Sequence, residues 1–208
     1  MSITIHHLRI SRSTRIIWLA EELGLDYELV CHDRDPQTFR SPPSLAEVHP
    51  MSKAPAVVID GNVVVESGAI IEFMTEKYGN GKLTHAAGDA ARAEYLEWMH
   101  FSEGTLGMPM IMRMLGPRMG LPEGALAWMD AELVKQLDHV ERHLEGREYL
   151  CGDNFTGADI NLSYMLEHAE GMGLLSTRPN TARYQKSLKS RPAYKKAIEL
   201  GGPVTLAR

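Results

Sequence analysis

The sequence predicts a small α/β domain joined to an all-helical one, and three observations carry that prediction. The first third alternates short β-branched runs with helical spacings. A break bracketed by glycines falls at Gly79-Asn80-Gly81, and from Asp89 onward only helical patterns occur. With 208 residues, the chain has length for one to two domains and for a sizeable core.

Each element follows from its own residues. Residues 3–8, Ile-Thr-Ile-His-His-Leu, read as a short strand. From Thr14 to Leu23, Ile16, Ile17, Leu19, Ala20 and Leu23 recur at helical spacing, and Gly24 closes the segment. Residues 27–31 read as a second strand. Residues 33–50 are polar and carry Pro36, Pro42, Pro43 and Pro50, which predicts a long loop with room for a helical turn. Residues 56–59 and 63–65 are β-branched runs joined through Asp60-Gly61-Asn62, a strong hairpin signal. Ser67 is a natural N-cap for a helix that places Ile70, Phe73, Met74 and Tyr78 on one face.

Beyond the break, residues 90–119 predict one long helix kinked at Pro109. Residues 125–144 predict another, with Leu133, Leu137, Val140 and Leu144 in register. Thr156-Gly157-Ala158-Asp159 opens a third, and shorter helices follow Pro179 and Pro192. The expected organisation is a first domain over 1–79, a linker over 80–88 and a helical domain over 89–208.

Composition excludes several function classes. Lys and Arg number 22 against 27 Asp and Glu, a net charge of −5, and no basic stripe offers itself to phosphates. Nucleic acid is therefore not an expected partner. No apolar run approaches the ~20 residues that span a bilayer, so no membrane partner is expected either. Cys31 and Cys151 cannot build a disulfide framework, and the opening residues lack a secretory signal pattern. A cytoplasmic location is the expectation.

Absent motifs narrow the chemistry. The chain has no G-x-G-x-x-G, P-loop or nucleophile elbow. His139 and His143 stand four apart on a helix, but no further ligand accompanies them at metal spacing, so no metal is expected. Three segments remain. The loop Ile10-Ser11-Arg12-Ser13-Thr14-Arg15 joins the first strand to the first helix, where open α/β sheets place ligand-binding groups and a helix N-terminus favours an anion. Thioredoxin-type domains carry C-x-x-C at this turn; here Ser-Arg-Ser-Thr removes dithiol chemistry and leaves hydroxyls able to hold a thiolate from elsewhere. Lys53-Ala54-Pro55-Ala56 precedes the hairpin, and the Ala54 backbone there is a candidate partner for an extended peptide. Glu66-Ser67 stands at a helix start whose amides suit a carboxylate, while Glu66 suits an ammonium. Lys53 suits a second carboxylate at the other end of a short peptide.

The order and separation of these motifs, with Glu66-Ser67-Gly68-Ala69-Ile70 and Phe155-Thr156-Gly157-Ala158-Asp159-Ile160, resembles the cytosolic glutathione transferase family. The resemblance runs over essentially the whole chain and implies a thioredoxin-like βαβ-ββα head with a helical second-substrate domain. It implies a cis Pro55, glutathione contacts from Ser11, Lys53, Ala54, Pro55, Glu66 and Ser67, and a structural capping box at Thr156 and Asp159. The segment before residue 27 holds neither Tyr nor Cys, so the serine-type, theta-like pattern is nearest. Ser11 lies four residues before Arg15, as the serine does in that branch, and becomes the thiol-facing candidate. Ser13 is the reserve, and Arg12 is a candidate for added positive potential. Glutathione is then a co-substrate, a small hydrophobic electrophile its partner, and a homodimer the expected assembly. Two other outcomes share this pattern: reduction of organic peroxides, and a glutathione-binding protein without turnover. Seven of the twelve methionines lie between Met99 and Met129, where they suit either an adaptable apolar pocket or a helical core.

Overall fold

The computed structural model describes residues 2–205. Two compact units divide the chain: the segment up to Thr84 together with that from Lys189, and the segment His85–Leu188. The last described helix thus packs with the first unit.

The first unit is built on a mixed sheet of four strands in the order β2-β1-β3-β4. Strand β1 (Ile3–Leu8) runs parallel to β2 (Glu28–His32), with Thr4 opposite Glu28 and Leu8 opposite His32. Strand β3 (Ala56–Ile59) is antiparallel to β1, with Ile3 opposite Ile59 and His6 opposite Ala56. Strand β4 (Asn62–Val65) completes the hairpin, with Ala56 opposite Val65. The turn has Asp60 at φ 50° and Gly61 at φ 83°, the two positive angles that a type I′ hairpin turn needs. Helix α1 (Thr14–Leu23) buries Ile16, Ile17, Trp18, Leu19 and Ala20. Helix α2 (Pro43–Val48) occupies part of the predicted loop, and α3 (Ser67–Tyr78) follows the hairpin.

Helix α9 (Pro192–Gly201) packs on α1. Arg191 grips Glu22 with Nε at 2.6 Å and Nη2 at 2.8 Å, and Trp18 Nε1 donates to the same carboxylate at 2.8 Å. Tyr194 meets the Trp18 ring edge-on at 5.2 Å. A forked guanidinium–carboxylate pair beside an edge-on aromatic pair fixes this helix on α1.

The second unit is helical. The predicted long helix is interrupted: α4 (Arg92–His100) passes into a π-helical stretch at Phe101–Thr105 before α5 (Gly107–Leu115). Proline at 109 has no N–H for the Thr105 carbonyl and its ring crowds that turn, so the backbone widens where a plain kink was expected. Helix α6 (Glu123–His143) buries Leu133, Leu137 and Val140. Helices α7 (Gly157–Gly171) and α8 (Pro179–Ser190) follow. Among the described residues no helix is long and apolar enough to cross a membrane.

Candidate functional site

Sheet register gathers three of the predicted segments. Pairing of His6 with Ala56 puts the start of β3 beside the end of β1, and pairing of Ala56 with Val65 puts the end of β4 beside that start of β3. The loop after β1 holds Ser11. The segment before β3 holds Lys53, Ala54 and Pro55, with the Ala54–Pro55 bond cis. The segment after β4 holds Glu66 and Ser67. All three therefore lie at one end of the sheet, where α1 and α3 both begin. Two helix N-termini at that end favour an anion. Arg15, 2% exposed in the first turn of α1, adds a cation there and donates from Nη1 to Ser67 Oγ at 3.0 Å.

Ser67 does not cap its helix. Glu66 occupies the cap position with φ 69°, no side chain caps the first turn, and the Ser67 hydroxyl instead accepts from Arg15. Lys53 and Glu66 are exposed, so their charges are available to a ligand, while Ser67 is buried.

The first loop is more constrained than its composition suggests. Ser13 does not cap α1 through its side chain either. Its Oγ lies 2.8 Å from His7 Nδ1, 2.7 Å from Ser11 Oγ and 3.1 Å from the Leu8 N–H. His7 is fully buried, and its Nε2 lies 2.8 Å from the Gly201 carbonyl. Burial holds the His7 imidazole below its ordinary range, so it is neutral near pH 7. A carbonyl only accepts, so Nε2 carries the ring proton and Nδ1 is an acceptor. The Ser13 hydroxyl lies 2.8 Å from that acceptor and 3.3 Å from the Leu8 carbonyl, so the shorter bond takes its proton to Nδ1 and leaves Ser11 to donate to Ser13. Both serines are buried, and the Ser13 N–H donates back to Ser11 Oγ at 3.2 Å. Ser11, 7% exposed, is the member of this hydrogen-bonded series that solvent reaches, against 0% for Ser13 and His7.

Three non-glycine residues with positive φ flank the site: Ile10 at 56°, Ser52 at 50° and Glu66 at 69°. They directly precede Ser11, Lys53 and Ser67. Such angles cost of order 1 kcal/mol or more each and persist only where the surroundings enforce them. Arg34 enforces the first: Nη2 donates to the Ile10 carbonyl at 2.7 Å and Nε to the Arg9 carbonyl at 3.0 Å. Ser41 enforces the second, donating to the Ser52 carbonyl at 2.6 Å. Sequence reasoning missed His7, Arg15, Arg34 and Ser41. Only the i, i+4 relation of Ser11 to Arg15 carried a local signal; the others act across the sheet or between loops.

Arg12 is half-buried. Thr156 and Asp159 form a capping box on α7. The Asp159 carboxylate accepts from the Thr156 N–H at 2.7 Å, the Leu150 N–H at 3.0 Å and the Tyr184 hydroxyl at 2.7 Å. That network ties the start of α7 to Leu150 and Tyr184. His139 and His143 flank Trp98, and His143 Nε2 bonds the Leu150 carbonyl at 2.8 Å. Among the described residues no three His, Cys, Asp or Glu side chains group as metal ligands.

A thioredoxin-like head with a hydroxyl where that fold places its dithiol, followed by a helical unit, defines the class. Residues 11–77 match the glutathione S-transferase N-terminal domain and residues 123–186 the C-terminal domain. Glutathione S-transferase 3 of Schizosaccharomyces pombe is 34% identical, over 95% of this chain and 87% of its own. A glutathione S-transferase structure from Actinobacillus pleuropneumoniae superposes with a TM-score of 0.87 at 33% identity, covering 96% of this chain and 92% of its own. A glutathione transferase family member from Pseudomonas fluorescens, solved with two glutathione bound, superposes with a TM-score of 0.81 at 25% identity, covering 95% and 92%. The chain belongs to the glutathione S-transferase family.

Proposed function

We propose that the protein is a serine-type, theta-like glutathione transferase that activates the glutathione thiol for attack on small hydrophobic electrophiles. The observation that carries the reading is the convergence of Ser11, the Lys53–Pro55 segment and Glu66-Ser67 at one end of the sheet, where two helices begin. Glutathione seen in the Pseudomonas fluorescens relative supports the same ligand here. Lys53 is placed for a carboxylate, Glu66 for the ammonium and the α3 N-terminus with Ser67 for the γ-glutamyl carboxylate. The Ala54 backbone and Pro55 line the peptide's middle.

Ser11 faces the sulfur in this account, and Ser13 supports it from behind; Arg12 adds positive potential. A free thiol has a pKa near 8.5, leaving a few per cent thiolate at neutral pH. A hydroxyl donor and two helix N-termini favour the charged form. Depression by ~2 units makes most of the bound thiol reactive at pH 7. The thiolate sulfur then attacks an electrophilic carbon: on an aromatic halide the C–S bond forms, the carbon–halogen bond breaks and halide leaves. Ser11 is never covalently modified. The protein works as a cytoplasmic homodimer in detoxification.

Conjugation of glutathione to a generic aromatic halide tests this. Loss of a hydrogen bond to a charged sulfur, worth ~1.5–3 kcal/mol, predicts a roughly 10- to 100-fold lower kcat/KM for Ser11→Ala. Full activity in Ser11→Ala would overturn the assignment. Retention on immobilised glutathione without turnover of any halide or peroxide would mark a binding protein instead.

A further inference from the structure

We propose that His7 is the internal acceptor for the thiol proton, reached through Ser13 and Ser11, and is a positioning residue for the reaction. This rests on Ser11 facing the sulfur. The hydrogen-bonded distances are 2.7 Å from Ser11 Oγ to Ser13 Oγ, 2.8 Å to His7 Nδ1 and 2.8 Å from Nε2 to the Gly201 carbonyl. Every side chain in the chain is buried, so no water competes for these bonds. The polarity is fixed at the far end, because the carbonyl forces the proton onto Nε2. At rest each hydroxyl therefore donates toward His7, and Ser11 offers the ligand a lone pair.

An incoming thiol donates its S–H to that lone pair. Transfer is balanced without any added reagent. The S–H bond breaks and its proton joins Ser11 Oγ; the Ser11 proton moves to Ser13 Oγ, and the Ser13 proton moves to His7 Nδ1. The products are a thiolate and an imidazolium whose Nε2–H still donates to Gly201. The chain's polarity is then reversed, so Ser11 now donates to the thiolate it has just created. A hydroxyl that began as an acceptor becomes the stabilising donor in the same step.

The surroundings of His7 keep this proton from being held without a thiolate. Burial opposes a positive charge on the ring, the Gly201 carbonyl of α9 favours it, and Arg9 and His32 oppose it to a smaller extent. The α1 neighbour on this side is apolar: a Cβ at Gly201 would stand 3.0 Å from Ile17 Cδ1 and 3.0 Å from His7 Cε1. The balance tips when a negative sulfur arrives at the other end of the chain. Glycine at 201 lets the helix backbone approach the ring closely enough to bond it.

Proton release on glutathione binding, followed with a pH indicator near pH 7 alongside thiolate ultraviolet absorbance, tests the relay. The wild type is expected to form thiolate while releasing clearly less than one proton per thiolate. His7→Asn places an amide oxygen near Nδ1, which keeps an acceptor for Ser13 but removes the base. That variant is expected to release one proton per thiolate, with the bound thiol titrating about one unit higher. Ser13→Ala should shift the titration similarly, and the double variant should shift it no further. One proton released per thiolate in the wild type, or an unshifted titration in both single variants, overturns the relay. Circular dichroism and glutathione affinity report folding separately. If Ser11→Ala also leaves the bound thiol's titration unchanged, the Ser11 reading itself fails; a shift there alone removes only the relay.

Discussion

Ser11 and Ser13 are separated by a single arginine, yet the structure gives them different surroundings. Ser13 is enclosed by Leu8, His7 and Ser11, which satisfies its one donor and its acceptor capacity. Family spacing points to Ser11, but nothing local in the sequence separates the two hydroxyls, because the partner that distinguishes their surroundings, His7, comes from the preceding strand. Arg34 was equally illegible: it sits in a polar stretch that reads as loop, and its role is to clamp the carbonyls of Arg9 and Ile10 ahead of Ser11. Arg34→Met should lower kcat roughly tenfold by loosening that loop, with the fold intact by circular dichroism, since misplacing a reacting group by ~1 Å can cost 10²-fold. Unchanged kcat would show that Ile10 holds its strained backbone unaided.

At the scale of elements, patterning located most helices and strands because amphipathic spacing, turn chemistry and capping agree. The Asp60-Gly61 turn and the Thr156–Asp159 box are local rules, readable within four residues. The Ser67 cap failed because tertiary contact overrode propensity: Arg15 takes the hydroxyl that would otherwise cap. The interrupted helix at residues 101–105 is a similar case, since Pro109 signals a disturbance but not whether the backbone bends or widens. Asp159 is the most exacting single residue of α7. Asp159→Ala would strand the buried donors of Leu150, Thr156 and Tyr184, costing on the order of 3–5 kcal/mol. For a chain of this size that predicts a melting temperature lower by roughly 10 °C. A change of only a degree or two in a thermal melt would show that the network is not a stability element.

Across the whole molecule, chain order and packing part company. Residues from Lys189 complete the first unit, where α9 supplies the Gly201 carbonyl and Arg191, just ahead of it, clamps Glu22. No sequence pattern announces which unit an amphipathic terminal helix will join, because its apolar face fits either. Histidine chemistry also acts at this scale. Burial lowers His6, His7, His32 and His143 below their ordinary value of 6.5, with His32 adding to the effect on His6. The folded state then binds fewer protons than the unfolded chain, so their stabilising contribution is full above pH 6.5 and is lost as pH falls through that value toward the folded ones. Thermal melts should drop between about pH 7.5 and about pH 5.5, before the carboxylates titrate. A flat profile over that window would contradict the neutral, buried state of these rings, including the polarity deduced for His7.

The central claim is that a bound tripeptide's sulfur lies against the Ser11 hydroxyl. A crystal structure with glutathione tests it most directly. The account predicts sulfur within hydrogen-bond reach of Ser11 Oγ, with Glu66 and Ser67 on the γ-glutamyl group and the Ala54 backbone on the cysteinyl residue. Sulfur bonded to Ser13, or glutathione lying away from the end of the sheet where β1 gives way to α1, would contradict it.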